Sequence, residues 1–164
     1  MLGLLSKKKA PEFYVICDNL RSLYNIGSIF RTADALGVNK IYLTGICGTP
    51  EQKGLKKVAL GAEESVPWEY AKNTWQLVDK LKKQKVKIIA LELNKNSVDI
   101  DQFVRQNKAK MSGNFALILG NEVTGVSSTI LKRSDVVVHI PMKGMKESLN
   151  VSVAFGIAGY MLAK

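Results

Sequence analysis

Short runs of consecutive apolar residues, separated by helix-like segments, constrain the fold of this chain more than any other feature. The clearest runs are KIIALEL (residues 87–93), ALILG (116–120) and VVVHI (136–140). Runs of this kind are typical of strands buried on both faces, as in a parallel sheet that is covered by helices. The sequence therefore predicts the α/β class, with a parallel sheet flanked by helices.

The remaining segments support this alternation. Two more strands are predicted at FYVIC (13–17) and KIYLTG (40–45). Helices are predicted where apolar residues recur at helical spacing, at residues 25–37, 73–85, 98–106 and 148–163. Residues 46–66 are predicted to form a long, lysine-bearing loop. Because the chain shows no internal repeat and no linker, we expect a basic N-terminal arm (1–10) and a single domain (11–164).

The charge of the chain indicates a polyanionic partner. Its 164 residues include 24 Lys and Arg but only 14 Asp and Glu, which gives a formal net charge of +10. Such an excess favours binding to nucleic acid or to an anionic membrane. The simpler alternative is a basic surface that only keeps the protein in solution.

Several classes of function are disfavoured by residues that the chain lacks. Cys17 and Cys47 form no C-x-x-C motif and have no histidine cluster near them, which argues against a zinc site and suits a reducing cytosol. His139 is the only histidine, and it lies in a strand-like run where a half-buried, hydrogen-bonded imidazole is expected. Hydrolysis by a serine or cysteine nucleophile is therefore disfavoured.

The sequence contains no pattern that places it in a membrane. The opening MLGLLS is too short for a signal peptide, and the basic residues follow it instead of preceding it. The longest apolar stretch (149–163) is shorter than the roughly 20 residues that a membrane span needs. We therefore expect a soluble, cytoplasmic protein.

Three polar clusters flank predicted strand ends, at residues 25–31, 120–125 and 142–150. In parallel sheets, ligands bind beyond the carboxyl ends of the strands. The three clusters are therefore expected to meet at one site, and this convergence is more informative than any cluster alone.

In the first cluster, Arg31 is the residue that suggests chemistry. The apolar stripe of its helix consists of Ile26, Ile29 or Phe30, Ala33 and Leu36, and Arg31 lies off that stripe. A guanidinium group can bind a phosphate or a carboxylate with two hydrogen bonds. The alternatives are an ordinary surface arginine at this position and, for Asn25, a helix N-cap.

The second cluster resembles a nucleotide-binding loop but has a carboxylate where a phosphate-binding loop would have a lysine. Gly120 follows a buried strand and permits a close backbone approach, but Asn121 and Glu122 follow where a phosphate loop would have a lysine. An adenosine-like ligand without phosphates would suit these groups, and a carboxylate tolerates a positively charged sulfonium. The alternative is a tight loop in which Glu122 caps the next turn.

The third cluster precedes the last helix. Ser148 and Asn150 stand at its start, where unpaired N–H groups need acceptors. The helix is apolar on two faces, one formed by Leu149, Val153, Ile157 and Tyr160 and the other by Val151, Phe155, Ala158 and Leu162. A helix buried on both sides packs against something besides its own sheet, most simply a second subunit.

Three motifs resemble the signatures of the SpoU (TrmH-type) RNA 2′-O-ribose methyltransferases, in the order in which that family has them. They are N-x-G-x-x-x-R-T-A (25–33), L-G-N-E-x-x-G-V (119–126) and I-P-M-x-G-x-x-x-S-L-N-V-S-V-A (140–154). Each motif alone is a weak match, but the three together span nearly the whole chain from Phe13 onward.

The resemblance implies S-adenosylmethionine as methyl donor and a ribose 2′-hydroxyl of transfer RNA or ribosomal RNA as acceptor. It also implies the SPOUT fold, in which the C-terminal segment forms a deep trefoil knot that is otherwise almost absent from proteins. The positions that match the family's cofactor site are Leu91, Gly120, Ile140, Met142 and Leu149.

The resemblance further implies a homodimer without a metal ion and a set of catalytic positions, which are Arg31, Asn25, Glu122, Ser148 and Asn150. Because a guanidinium stays protonated in proteins, we expect Arg31 to grip a phosphate and orient the 2′-hydroxyl instead of acting as a base. One alternative is a catalytically silent, knotted RNA-binding or assembly protein. A Rossmann-type nucleotide enzyme is a weaker alternative, because no G-x-G-x-x-G follows the first strand.

Overall fold

The structure, a computed structural model, describes residues 10–107 and 113–164. The strands are Phe13–Asp18 (β1), Lys40–Thr44 (β2), Trp68–Ala71 (β3), Lys87–Leu91 (β4), Val98–Asp99 (β5), Phe115–Leu119 (β6) and Val136–His139 (β7). The helices are Leu23–Ala35 (α1), Lys53–Ala59 (α2), Ala62–Ser65 (α3), Thr74–Lys83 (α4), Ile100–Asn107 (α5), Ser128–Leu131 (α6) and Val151–Leu162 (α7). The predicted basic arm lies outside the described residues, apart from Ala10.

The strands of the described chain form one seven-stranded sheet in the order β3-β2-β1-β6-β4-β7-β5. Each neighbouring pair is parallel. All five residues of β6, at the centre of the sheet, are buried. Side chains of successive residues enter two apolar clusters, because neighbouring residues of a strand point to opposite faces. The predicted parallel sheet covered on both faces is therefore confirmed.

Residues 46–66, predicted to be a loop, contain α2 and α3. The reason is tertiary packing: Leu55 and Ala59 of α2 are buried against α1. The two helices approach closely at Gly27, where an added Cβ would lie 2.8 Å from the Leu55 carbonyl oxygen. No sequence pattern predicts the edge strand β3, which is short and pairs only with β2. The predicted helix 98–106 begins at Ile100, after the two-residue edge strand β5.

Helix α7 buries one face and exposes the other. Phe155, Ala158 and Leu162 are buried in the core. The opposite face, by contrast, is largely exposed in the single chain, with Val153 at 51% and Tyr160 at 55%. Both apolar faces were predicted to be packed. Within one chain only the face with Phe155, Ala158 and Leu162 is packed. Across residues 10–107 and 113–164, no helix is long and apolar enough to cross a bilayer.

Because all the strands run in parallel, their carboxyl ends lie along one edge of the sheet. The segments that follow β1, β4, β6 and β7 leave the sheet at this edge, and the candidate site lies there.

Candidate functional site

A cavity of about 470 Å³ lies at the carboxyl edge of the sheet. Of the predicted polar site residues, Asn25, Glu122, Ser148 and Asn150 line it. Of the predicted cofactor residues, Leu91, Gly120, Ile140, Met142 and Leu149 line it as well. The structure thus brings together every predicted site residue except Arg31, from segments that are distant in the sequence.

Gly120 is required by the loop that forms one wall of the cavity. A Cβ at this position would lie 2.4 Å from both the Gly125 carbonyl carbon and the Val126 nitrogen. The loop is closed by two backbone hydrogen bonds between Asn121 and Gly125, of 3.2 and 2.9 Å. Gly125 itself has a φ of +66°, a conformation that favours glycine. The close backbone approach that the sequence predicted at Gly120 is therefore an approach to the backbone of Gly125 and Val126, within the same loop.

The side chain of Asn121 holds this loop against the segment after β1. Its Nδ2 donates a hydrogen bond of 2.7 Å to the Asn19 carbonyl oxygen. Its Oδ1 accepts hydrogen bonds from the backbone N–H groups of Val123 and Thr124, at 2.9 and 3.1 Å. Asn121 therefore shapes the turn and fixes its position at the same time.

Glu122 connects the three polar clusters. Its carboxylate accepts hydrogen bonds of 3.0 Å from the backbone N–H groups of Arg21 and Ser22, and one of 3.1 Å from Asn25 Nδ2. Asn25 Oδ1 in turn accepts a hydrogen bond of 3.0 Å from Asn150 Nδ2. A continuous series of hydrogen-bonded side chains thus links the start of α1, the loop after β6 and the N-cap of α7.

Two simpler alternatives from the sequence are excluded by this geometry. Asn25 is not the N-cap of α1, because Ser22 occupies that position and accepts a hydrogen bond from the Asn25 N–H. Glu122 does not cap the turn that follows it, because its side-chain partners belong to residues 21–25.

The same contacts make the charge of Glu122 relevant to stability. Partial burial raises the pKa of its carboxyl group. Hydrogen bonds from Arg21, Ser22 and Asn25 lower the pKa by more than burial raises it, so the resulting pKa is below the ordinary value of 4.5. A carboxyl group with a lowered pKa in the folded protein stabilises the fold above its unfolded pKa. That contribution disappears as the pH falls through the folded pKa.

We therefore expect Glu122→Gln to lower the free energy of unfolding at neutral pH by less than about 1 kcal/mol, because much of the carboxylate faces solvent. The difference from the wild type should vanish at pH values well below 4.5, where the wild-type carboxyl group is also uncharged. Urea unfolding of both proteins over a pH series measures this. A difference that stays constant into the acid range would contradict it.

Asn150 begins helix α7 as its N-cap. Its Oδ1 accepts hydrogen bonds from Ser152 N–H at 2.9 Å and from Ser152 Oγ at 2.6 Å. Helix α7 consequently starts at Val151, three residues later than predicted. Ser148 is exposed and lies in the preceding loop, where it lines the cavity.

Glu92 lines the cavity but is not among the residues that the sequence suggested. Its Oε2 accepts a hydrogen bond of 2.8 Å from Val126 N–H, and its Oε1 accepts one of 3.0 Å from Leu93 N–H. A Cβ on Gly125 would lie 2.3 Å from Glu92 Oε2, so the carboxylate and the glycine fit each other. The available signal was a lone carboxylate directly after the buried strand β4.

His139 also lines the cavity, and the prediction of a hydrogen-bonded imidazole at this position is wrong. Its Nδ1 is buried and has no hydrogen-bond partner among the described residues. The strand register places His139 beside Asp99 of the edge strand β5, yet no hydrogen bond joins their side chains.

Arg31 lies on the exposed side of α1, outside the residues that line the cavity. Of the predicted stripe, Ile26, Ile29, Phe30 and Ala33 are buried and Leu36 is half-buried, so the predicted orientation of the helix is confirmed. Six residues at 1.5 Å per residue place Arg31 about 9 Å beyond Asn25 along the helix. Arg31 is therefore not a wall of the cavity of its own chain.

Comparison with known proteins places this site in a family. The model of the SpoU rRNA Methylase family matches residues 12–160. A 23S rRNA (guanosine-2′-O-)-methyltransferase, RlmB, from Coxiella burnetii is 31% identical over 160 residues, covering 98% of this chain and 61% of that protein. A tRNA (guanosine(18)-2′-O)-methyltransferase from Aquifex aeolicus is 34% identical over 154 residues, covering 94% of this chain and 70% of that protein.

A solved structure of another methyltransferase has a fold similar to that of this chain. The crystal structure of an AdoMet-bound rRNA methyltransferase from Sinorhizobium meliloti superposes with a TM-score of 0.80 at 28% identity, covering 94% of this chain and 57% of that chain. The chain thus spans little more than half the length of that protein. Because the family model matches nearly the whole chain, the chain belongs to the SpoU rRNA Methylase family.

Proposed function

We propose that this protein transfers a methyl group from S-adenosylmethionine to a ribose 2′-hydroxyl of a structured RNA, either transfer RNA or ribosomal RNA. The observation that carries the proposal is that residues of all three family motifs line one cavity at the carboxyl edge of the sheet. The relatives support the substrate class, because their names describe 2′-O-methylation of guanosine in 23S rRNA or tRNA. The basic charge of the chain suits an RNA partner.

The cavity fits this cofactor. Its volume of about 470 Å³ falls within the usual range for small-molecule sites. It has apolar walls at Leu91, Ile140 and Leu149, and among the described residues no Lys or Arg lines it. A phosphate-bearing nucleotide would lack a cationic partner there, whereas an adenosine with a positively charged sulfur suits the carboxylates. The structure from Sinorhizobium meliloti is described as AdoMet-bound.

Different residues of the chain have different proposed roles in the reaction. When bound, the cofactor supplies an electrophilic methyl group. The Glu122–Asn25–Asn150 chain holds the three cavity segments in fixed relative positions, so that the reacting atoms can be aligned. Ser148 offers a hydroxyl at the cavity wall. Arg31 lies outside the cavity, and its proposed role is to bind a phosphate of the RNA and orient the 2′-hydroxyl.

Mass spectrometry of nucleosides from RNA incubated with the protein and isotope-labelled S-adenosylmethionine tests this proposal. We expect a labelled 2′-O-methylated nucleoside from transfer RNA or ribosomal RNA. A label on the base would contradict the acceptor. RNA binding without cofactor binding or label would instead support the catalytically silent alternative.

We propose that the active form is a homodimer in which a second copy covers the exposed face of α7. On α7 this face consists of Val153, Ile157 and Tyr160, with exposures of 51%, 39% and 55%. Leu149, which is 39% exposed in the loop before the helix, extends it. Residues at this spacing form a continuous apolar stripe along a helix. An identical stripe on a second copy can cover it about a two-fold axis.

Gly156→Leu is expected to convert the proposed dimer into a folded monomer. A Cβ at Gly156 would meet no atom of the described residues within 4 Å, so a larger side chain is accommodated by the single chain but obstructs a close helix crossing. Sedimentation velocity at micromolar concentration measures the change in mass, and circular dichroism checks the fold. A wild-type protein that sediments as a monomer would contradict the dimer.

A different outcome is expected at Gly159, which serves as the contrast. A Cβ there would lie 2.8 Å from Leu36 Cδ1 and 2.9 Å from Phe155 Cε2. Gly159→Ala should therefore lower the melting temperature, whereas Gly156→Leu should leave it almost unchanged.

We further propose that residues 11–164 act as one methyltransferase domain in the cytoplasm and need no metal ion. The deep trefoil knot expected from the family resemblance stays a prediction. Support for the single domain comes from the one sheet that includes strands from Phe13 to His139 and from the packing of α7 against α1.

A further inference from the structure

The proposed cofactor cavity has a charge opposite to that of the chain as a whole. The chain has a formal net charge of +10, yet the charged residues among those lining the cavity are Glu92, Glu122 and Glu147. None of these carboxylates forms an ion pair with another described residue. A cleft lined by charges of one sign favours a ligand of the opposite sign.

Two of the three carboxylates are held by the backbone. Glu92 accepts hydrogen bonds from the Val126 and Leu93 N–H groups, and Glu122 accepts them from Arg21 and Ser22. Their hydrogen bonds explain why glutamates stand at these two positions, because each closes or connects cavity segments.

Glu147 has no such structural explanation. It is exposed, lies directly before Ser148 in the loop between β7 and α7, and makes no hydrogen bond or ion pair with another described residue. Its carboxylate is therefore free to accept hydrogen bonds from a ligand in the cavity.

We propose that Glu147 binds the α-ammonium group at the methionine end of the cofactor, an inference that rests on the proposed function. An ammonium group has N–H donors and forms charge-assisted hydrogen bonds with a carboxylate, whereas a sulfonium has no donor. An exposed carboxylate also suits the most strongly hydrated, polar end of the ligand. Glu147 thereby distinguishes ligands that carry the amino-acid end from adenosine derivatives that lack it.

Calorimetric titration of Glu147→Gln with three ligands tests this assignment at low ionic strength. S-adenosylmethionine carries both the ammonium and the sulfonium, S-adenosylhomocysteine keeps only the ammonium, and 5′-methylthioadenosine has neither. We expect the affinities for the first two ligands to fall together by about fivefold, while the affinity for the third is unchanged. Glu64→Gln is the matched control, because Glu64 is an exposed carboxylate that does not line the cavity.

Each other outcome has a distinct meaning. Unchanged affinity for S-adenosylmethionine in Glu147→Gln overturns the inference. A loss confined to S-adenosylmethionine shows that Glu147 acts on the sulfonium, and a loss for all three ligands shows that it supports the loop, so both overturn the ammonium assignment. Failure of the wild-type protein to bind S-adenosylmethionine would instead contradict the proposed function itself.

Discussion

Replacing Arg31 with alanine is expected to lower the rate of methyl transfer to RNA by about 100-fold or more while leaving the affinity for S-adenosylmethionine close to that of the wild type. Arg31 does not line the cavity, so its loss should not disturb cofactor binding. A group that positions a substrate or assists proton transfer contributes an effect on the order of this size. Single-turnover methylation and calorimetric titration measure the two quantities separately.

Two further variants sharpen this result. Arg31→Lys keeps the charge but loses the paired N–H donors, so it should restore little activity if two hydrogen bonds orient the phosphate. Arg105→Ala is the matched control, since Arg105 is also an exposed arginine on a helix but pairs with Asp101. Near-normal turnover by Arg31→Ala would make Arg31 an ordinary surface residue. Loss of cofactor binding would instead place it at the cofactor.

Replacing Gly120 with alanine is expected to abolish cofactor binding and to lower the free energy of unfolding by about 3 kcal/mol, the upper part of the range for overpacked sites. The added Cβ would lie 2.4 Å from two backbone atoms of residues 125 and 126. Backbone atoms cannot move aside as a flexible side chain can, so the whole loop has to shift. Because this loop forms a cavity wall, the shift changes the site.

Calorimetry and urea unfolding measure both effects, with Gly113→Ala as the control. A Cβ at Gly113 would meet no atom within 4 Å among residues 10–107 and 113–164, so this substitution should leave both properties nearly unchanged. Wild-type affinity in Gly120→Ala would show that the loop accommodates a side chain, and the close approach at Gly120 would then not matter for binding.

The central part of the fold was predictable because it is buried on both sides. Strands β1, β4 and β6 are continuous apolar runs, and such runs have few alternatives in a folded chain. The edges were less predictable. Strand β3 is partly exposed and pairs with a single neighbour, and α2 is a short helix that contains Gly54. Neighbouring elements decide such segments more than their own propensities do.

The cavity residues were predictable from their motifs, but their interactions were not. Asn25, Glu122 and Asn150 each had a local interpretation as a cap, and only for Asn150 does the structure bear it out. Glu92 lies outside the three motifs, and Glu147 occupies an unspecified position of the third motif. Among the described residues, His139 Nδ1 has no hydrogen-bond partner. A strand pattern in the sequence does not specify which groups surround a buried atom, so this could not be predicted either.

The sequence by itself determined the α/β class, the family and the residues that approach the cavity, because apolar periodicity and motif spacing are local properties of a chain. Only the tertiary structure decided which polar groups meet. Glu122 and Asn25 are 97 residues apart in the sequence, and Asn25 and Asn150 are 125 apart, yet they form one hydrogen-bonded chain. Hydrogen bonds require partners within about 3 Å, a condition that is set by the packing of parallel strands and not by neighbouring residues.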